Sequence, residues 1–171
     1  FAIWEHILGA GKKYGLAGAG MEGLSIRRVE AGFFNNTEDI DPSINPFQAS
    51  LGSFVNMEKE DFIGKSALES AEREQLLWGV TCDCIDPAKG AKVHYEDQEV
   101  GFMTTGCWSP FLRKGIGFVR FNIANQWEGK RISVPDTTGK LNDAIVVQLP
   151  FYDAEKRIPR GLDVSIPVRT K

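Results

Sequence analysis

Cysteine and histidine are scarce, with three of one and two of the other in 171 residues. Cys82, Cys84 and Cys107 are an odd, sparse set that cannot all pair within one chain, so no disulfide framework is expected and a reducing, cytoplasmic setting is favoured. His6 and His94 combine with Cys82 and Cys84 into no recognisable metal spacing, and a C-x-C alternation along a strand reads as packing rather than half a zinc site. No apolar run approaches the roughly 20 residues that span a bilayer, so a soluble protein without a membrane partner is expected. The formal net charge of -3 supplies no electrostatic case for nucleic acid. There is no P-loop, and Ser109 is followed by Pro110 outside any G-x-S-x-G frame, which argues against a hydrolase. Phe1 is not an initiator Met and the first residues already read as the interior of a helix, so an N-terminally incomplete chain is expected.

What is present is a globular composition, 42% hydrophobic and 25% charged. Trp4, Ile7, Leu8 and Gly11 recur at helical spacing, which predicts an amphipathic helix over Phe1 to Tyr14 ended by Gly15. Gly18 to Gly23 satisfies G-x-G-x-x-G, with Asp39 and Asp41 about 20 residues further on, but a helix rather than a strand precedes it, so helix end plus turn is preferred. A second helix is expected from Met21, opened by Gly20 and closed by Gly32, with Arg27 and Glu30 as i,i+3 neighbours. A long polar loop, Asn35 to Pro46, follows, and loops of that length are more often functional than not. Then come a strand expected around Leu51 to Val55 and a helix over Gly64 to Glu74.

Beyond Leu77 the grammar changes to short strands: Leu77 to Cys84, Lys92 to Tyr95, Glu99 to Thr105, Ile116 to Phe121, Arg131 to Pro135 and Asp143 to Leu149. Turn residues separate them, as Gly106, Ser109, Pro110 and Gly115 do in Val100 to Phe121. The fold class is therefore α+β, a partial central α+β domain over 1–75 followed by an antiparallel β-barrel with its tail over 76–171. The basic, Pro-containing stretch Ala154 to Lys171 reads as a tail packed over the barrel or reaching toward a partner.

Two clusters invite a chemical reading. Arg27, Arg28 and Glu30 lie together between two apolar segments. A Glu accepts two hydrogen bonds from an N–H pair such as a pterin edge, and an Arg clamps a carboxylate, whereas the alternative is an intrahelical or interdomain ion pair. Trp108 either stacks on a flat ligand or fills the barrel corner.

Four blocks in order resemble the glycine-cleavage T-protein (aminomethyltransferase) family: Arg28-Val29-Glu30-Ala31-Gly32, Asp39-Ile40-Asp41 to Phe47, Asp61 to Leu68, and Thr104-Thr105-Gly106-Cys107-Trp108-Ser109-Pro110. Ala144 to Val147 with Pro150-Phe151-Tyr152 resembles that family's last barrel strand. The resemblance implies a tetrahydrofolate-dependent one-carbon transferase, with this chain as its C-terminal half, a small-molecule one-carbon donor and, for a true T-protein, a lipoyl carrier protein as partner. It implies folate contacts at Arg28, Glu30 and Trp108, no metal, and a catalytic acid upstream of Phe1. Departures are specific: Glu22-Gly23-Leu24-Ser25 stands where the family reads G-A-R-D, Asn36-Thr37 where it reads Tyr-Gly, Gln48 for Glu and Ser53 for an aromatic residue. Arg27-Arg28-Val29-Glu30 is closer to the branch similar to dimethylsulfoniopropionate demethylase, which moves a methyl group. Non-catalytic folate-binding relatives in iron-sulfur assembly carry a cysteine segment where this chain has Glu60 to Lys65, and flavin-dependent amine dehydrogenases carry a similar folate half.

Overall fold

A computed structural model describes residues 1–83 and 86–164. Helix α1 (Ala2–Gly11) runs into a 3-10 turn (Lys12–Tyr14), and Gly15 ends it in the left-handed conformation at φ 75°. Helix α2 (Met21–Glu30) begins at Gly20 and closes as its sequence predicts. Gly32, at φ 72°, donates its N–H to Val29 while the Phe33 N–H reaches Arg28, the paired bonds of a Schellman ending that only a residue tolerating positive φ supports at low cost. The expected helix over Gly64 to Glu74 is shorter, α3 (Lys65–Glu69), and the strand expected around Leu51 to Val55 is instead a 3-10 turn (Gly52–Phe54). Gly52 makes that turn fit, because a Cβ there would lie 3.0 Å from the Phe47 ring.

The strands are β1 (Leu77–Cys82), β2 (Lys92–Tyr95), β3 (Gln98–Ser109), β4 (Lys114–Phe121), β5 (Arg131–Pro135) and β6 (Leu141–Val147). They close into an antiparallel barrel in the order β1-β4-β3-β2-β5-β6, with β6 returning to β1. Strands β3 and β4 run further into their connection than composition suggests, and the corner shrinks to Pro110–Arg113. Cys84 and residues 165–171 of the expected tail lie outside the described residues. Cys82 is disulfide-bonded.

Alternation along the strands makes two cores. Trp78, Val80, Val93, Val119, Phe121, Ile132, Val134 and Val146 fill the barrel, where Trp127 stacks on Phe121 with ring centroids 4.0 Å apart. The outward residues of the same strands, Leu77, Ile116 and Phe118, form a second core with Val29 of α2, flanked by Phe34, Ile40 and Phe151. The barrel wall thus serves as the floor on which the upstream segment packs.

Close backbone approach sets one further requirement. A Cβ at Gly106 would lie 1.9 Å from the Pro87 carbonyl oxygen, a contact that no side-chain rotation relieves. Gly106→Ala is expected to destabilise the barrel by about 2 kcal/mol or more, read as a lower urea midpoint at unchanged slope.

Candidate functional site

The polar residues of α2 meet strand β3 and the 35–46 loop in one network. Asp39 is its centre, with its side chain fully buried. One carboxylate oxygen accepts hydrogen bonds from the hydroxyls of Thr104 and Thr105, both at 2.7 Å. The other accepts from Arg28 Nη1 and the Asn35 backbone N–H, both at 2.8 Å. Consecutive strand residues ordinarily point to opposite faces, yet both threonines reach the same oxygen. The reason is a register shift between Met103 and Thr105, a bulge that inserts Thr104 as an extra residue and re-aims its side chain.

Arg28 is engaged through both terminal nitrogens, while its buried Nε has no hydrogen-bond partner among the described residues. Besides Asp39 it donates to the Phe33 carbonyl at 3.1 Å, Glu38 at 3.1 Å and the Thr105 hydroxyl at 3.3 Å. Glu38 is also bonded by Lys89, which with Asn35 holds its carboxyl below the usual carboxylate range. Glu30 is buried at 1% exposure; the Ser109 hydroxyl donates to Oε1 at 2.6 Å and Arg27 Nη1 to Oε2 at 2.6 Å. The i,i+3 pairing expected for Arg27 and Glu30 is therefore present. Ser109 itself accepts the Leu112 N–H at 2.9 Å, so Glu30 also organises the β3–β4 corner.

Trp108 is half-buried one residue before Ser109, and its backbone N–H donates to Asp86 at 3.0 Å. Cys107 carries a free thiol whose pKa burial pushes up to about 11, so it is a poor nucleophile at neutral pH. Of the expected site residues, Arg28 and Glu30 converge on β3 near Trp108. Asp39, Thr104, Thr105 and Ser109 were not marked as site residues by sequence reasoning, although the Thr-Thr pair and the loop aspartate stood in blocks that carried the family resemblance.

A second tie joins the loop to the barrel. Asp41 is bonded by Arg120 Nη1 at 3.0 Å and by the hydroxyl and backbone N–H of Ser43, and Arg120 also donates to the Ser43 hydroxyl. Ser43 first and Arg120 after it lower the Asp41 pKa from 3.8 to about 2.

With this geometry in view, comparison with known proteins is decisive. Residues 1–59 match the family model "GCVT N-terminal domain" and residues 76–153 the model "Glycine cleavage T-protein C-terminal barrel domain". The chain belongs to the glycine-cleavage T-protein family. An aminomethyltransferase from Caldanaerobacter subterraneus is 35% identical over 154 residues, covering 88% of this chain and 41% of that protein. A trimethylamine-oxide aldolase from Ruegeria pomeroyi is 31% identical over 167 residues, covering 94% of this chain but 21% of that protein. The crystal structure of a glycine cleavage system aminomethyltransferase T from Bartonella henselae superposes with a TM-score of 0.74 at 25% identity, covering 88% of this chain and 43% of that one. The chain thus spans about two fifths of the length of the aminomethyltransferases it matches.

Two predictions follow from the T-protein network. Asp39→Ala leaves Arg28 without its buried counter-ion and two threonine hydroxyls without their acceptor. A loss of about 3–5 kcal/mol is expected, measurable by urea denaturation. Asp41 has a folded pKa below its unfolded value, so its contribution is present above about pH 4 and is lost as pH falls through about 2. Stability of Asp41→Asn is therefore expected to fall less steeply than that of the native chain across pH 4 to 2, as followed by acid titration of the melting temperature.

Proposed function

We propose that the protein acts in one-carbon transfer to tetrahydrofolate. The carrying observation is that both segments match the T-protein family in order, and that the two are joined by the buried Asp39 network rather than lying side by side. Folate is a flat ligand with hydrogen-bonding edges and a carboxylate end. The half-buried Trp108 supplies an aromatic face, while Arg28 and Glu30, engaged with Asp39 and Ser109, fix the wall on which that face sits. We place the division between the folate-binding region and the barrel near Gln75.

Catalysis in such a transfer rests mainly on orientation and electrostatics. The residues described supply orientation: a rigid barrel wall, a helix pinned to it by Glu30 and Arg28, and a water-excluding second core around Val29. In the family pattern the acid that acts on the folate-bound carbon belongs to the N-terminal half, so no catalytic acid is assigned among these residues. An aminomethyl group on a lipoyl carrier protein is the donor for a T-protein proper. A methyl donor is the second reading, favoured by the loss of the family's Arg at Leu24 and by the Arg27-Arg28-Val29-Glu30 run.

Isothermal titration of the full-length protein with tetrahydrofolate tests this directly. Saturable binding below the millimolar range is expected, and Glu30→Gln is expected to weaken it by about tenfold. No heat at millimolar ligand would sink the one-carbon reading, and unchanged affinity with a lowered melting temperature in Glu30→Gln would make that residue purely structural. Product analysis with an aminomethylated carrier against small methylated donors then separates the two donors.

A further inference from the structure

Arg27 combines two properties that rarely coincide, an exposed head and a fixed position. Its side chain is 56% exposed, yet Nη1 is tied at 2.6 Å to a carboxylate that is itself 1% exposed. Its Cζ lies 5.9 Å from the ring centroids of both Phe111 and Tyr152, which are 5.0 Å apart and tilted at 54°. The Glu30 anchor is held in turn by Ser109, so the guanidinium is tied through Nη1 and packs beside a pair of rings. By contrast Arg131, 69% exposed, pairs only with Asp143, which is 67% exposed. An arginine has five N–H donors, and among the described residues Arg27 uses Nη1 alone.

A guanidinium donates and never accepts, so what docks on its free edge must present acceptors. A planar carboxylate matches that fork with two parallel bonds, and restraint beforehand removes most of the ordering cost of forming them. The N–H edge of a pterin does not fit a donor-only group. We propose that Arg27 is a specificity-determining residue that receives a carboxylate of the folate ligand, with Phe111 and Tyr152 holding its head in place. This inference rests on the one-carbon reading above, and folate's glutamate end supplies the carboxylates.

The test compares two ligands on the same protein. Full-length native protein, Arg27→Ala and Arg27→Lys are titrated with tetrahydrofolate and with 6-methyltetrahydropterin, which keeps the pterin and lacks every carboxylate. Arg27→Ala is expected to weaken tetrahydrofolate by about 10- to 100-fold and leave the pterin affinity unchanged. Arg27→Lys, which keeps the counter-charge to Glu30 but not the fork, is expected to fall between. Comparing ligands within one variant cancels any general loss of fold, and the lysine variant keeps the buried Glu30 neutralised should the alanine variant unfold. Equal weakening of both ligands, or no weakening of either, overturns the inference. Native protein that binds both ligands equally well overturns it too while leaving the one-carbon reading intact, whereas native protein that binds neither overturns that reading as well.

Discussion

A single buried carboxylate holds this molecule together as one object. Asp39 sits in the interior with four hydrogen-bond donors around it, contributed by a helix, its own loop and a barrel strand. Burying an ionised carboxylate is costly unless it is paired and its oxygens are satisfied, and here both conditions are met from elements 65 residues apart in sequence. The arrangement is therefore all or none. Moving α2 relative to β3 would leave Arg28, Asp39 and two threonines unsatisfied together, so the apolar contacts of Val29 with Leu77, Ile116 and Phe118 are locked in one register.

From that constraint the rest of the site follows. With α2 seated, consecutive residues diverge in role: Val29 enters the second core, Arg28 turns to Asp39, Glu30 reaches Ser109, and Arg27 emerges at the rim beside Phe111 and Tyr152. Tyr152 is available there because the chain beyond the last strand folds back over the helix end. A Cβ at Gly32 would lie only 3.1 Å from the Pro150 backbone, so that return is fitted to the Schellman glycine. One residue type at one position thus ends the helix and admits the segment that completes the site.

Much of this was legible beforehand because it is local. Gly20 and Gly32 bracket α2, the i,i+3 spacing of Arg27 and Glu30 gives their ion pair, and short runs of strand-forming residues between turn clusters mark the barrel strands. What escaped depends on partners distant in the chain. Nothing in Thr104-Thr105 announces a bulge, since the extra residue is defined only by its register against Val119 and Phe118. The apolar spacing of Leu51 to Val55 suited a strand, but no neighbouring strand pairs with it among the described residues, and a 3-10 turn closes instead. Asp39 looked like one more acidic residue in a polar loop, because burial is invisible in a string of letters.

The departures from the family pattern divide along the same line. Residues in the clasp, Arg28, Glu30, Asp39 and the Thr-Thr pair, match the blocks that carry the resemblance. The substituted positions lie outside it: Leu24 is 61% exposed on α2, and Asn36 and Thr37 are exposed on the loop. Thr37 is instructive, for it stands at φ 69° where the family pattern has glycine, a conformation that costs an ordinary residue about 1–2 kcal/mol. The loop nonetheless keeps its path, held by the Thr37 N–H to the Ile40 carbonyl at 2.7 Å and by Asp39 beneath it. A clasp strong enough to absorb that strain lets the exposed rim vary without moving the wall. On this view the barrel and α2 hold a common platform, and the departures at Leu24, Asn36 and Thr37 fall on its exposed rim.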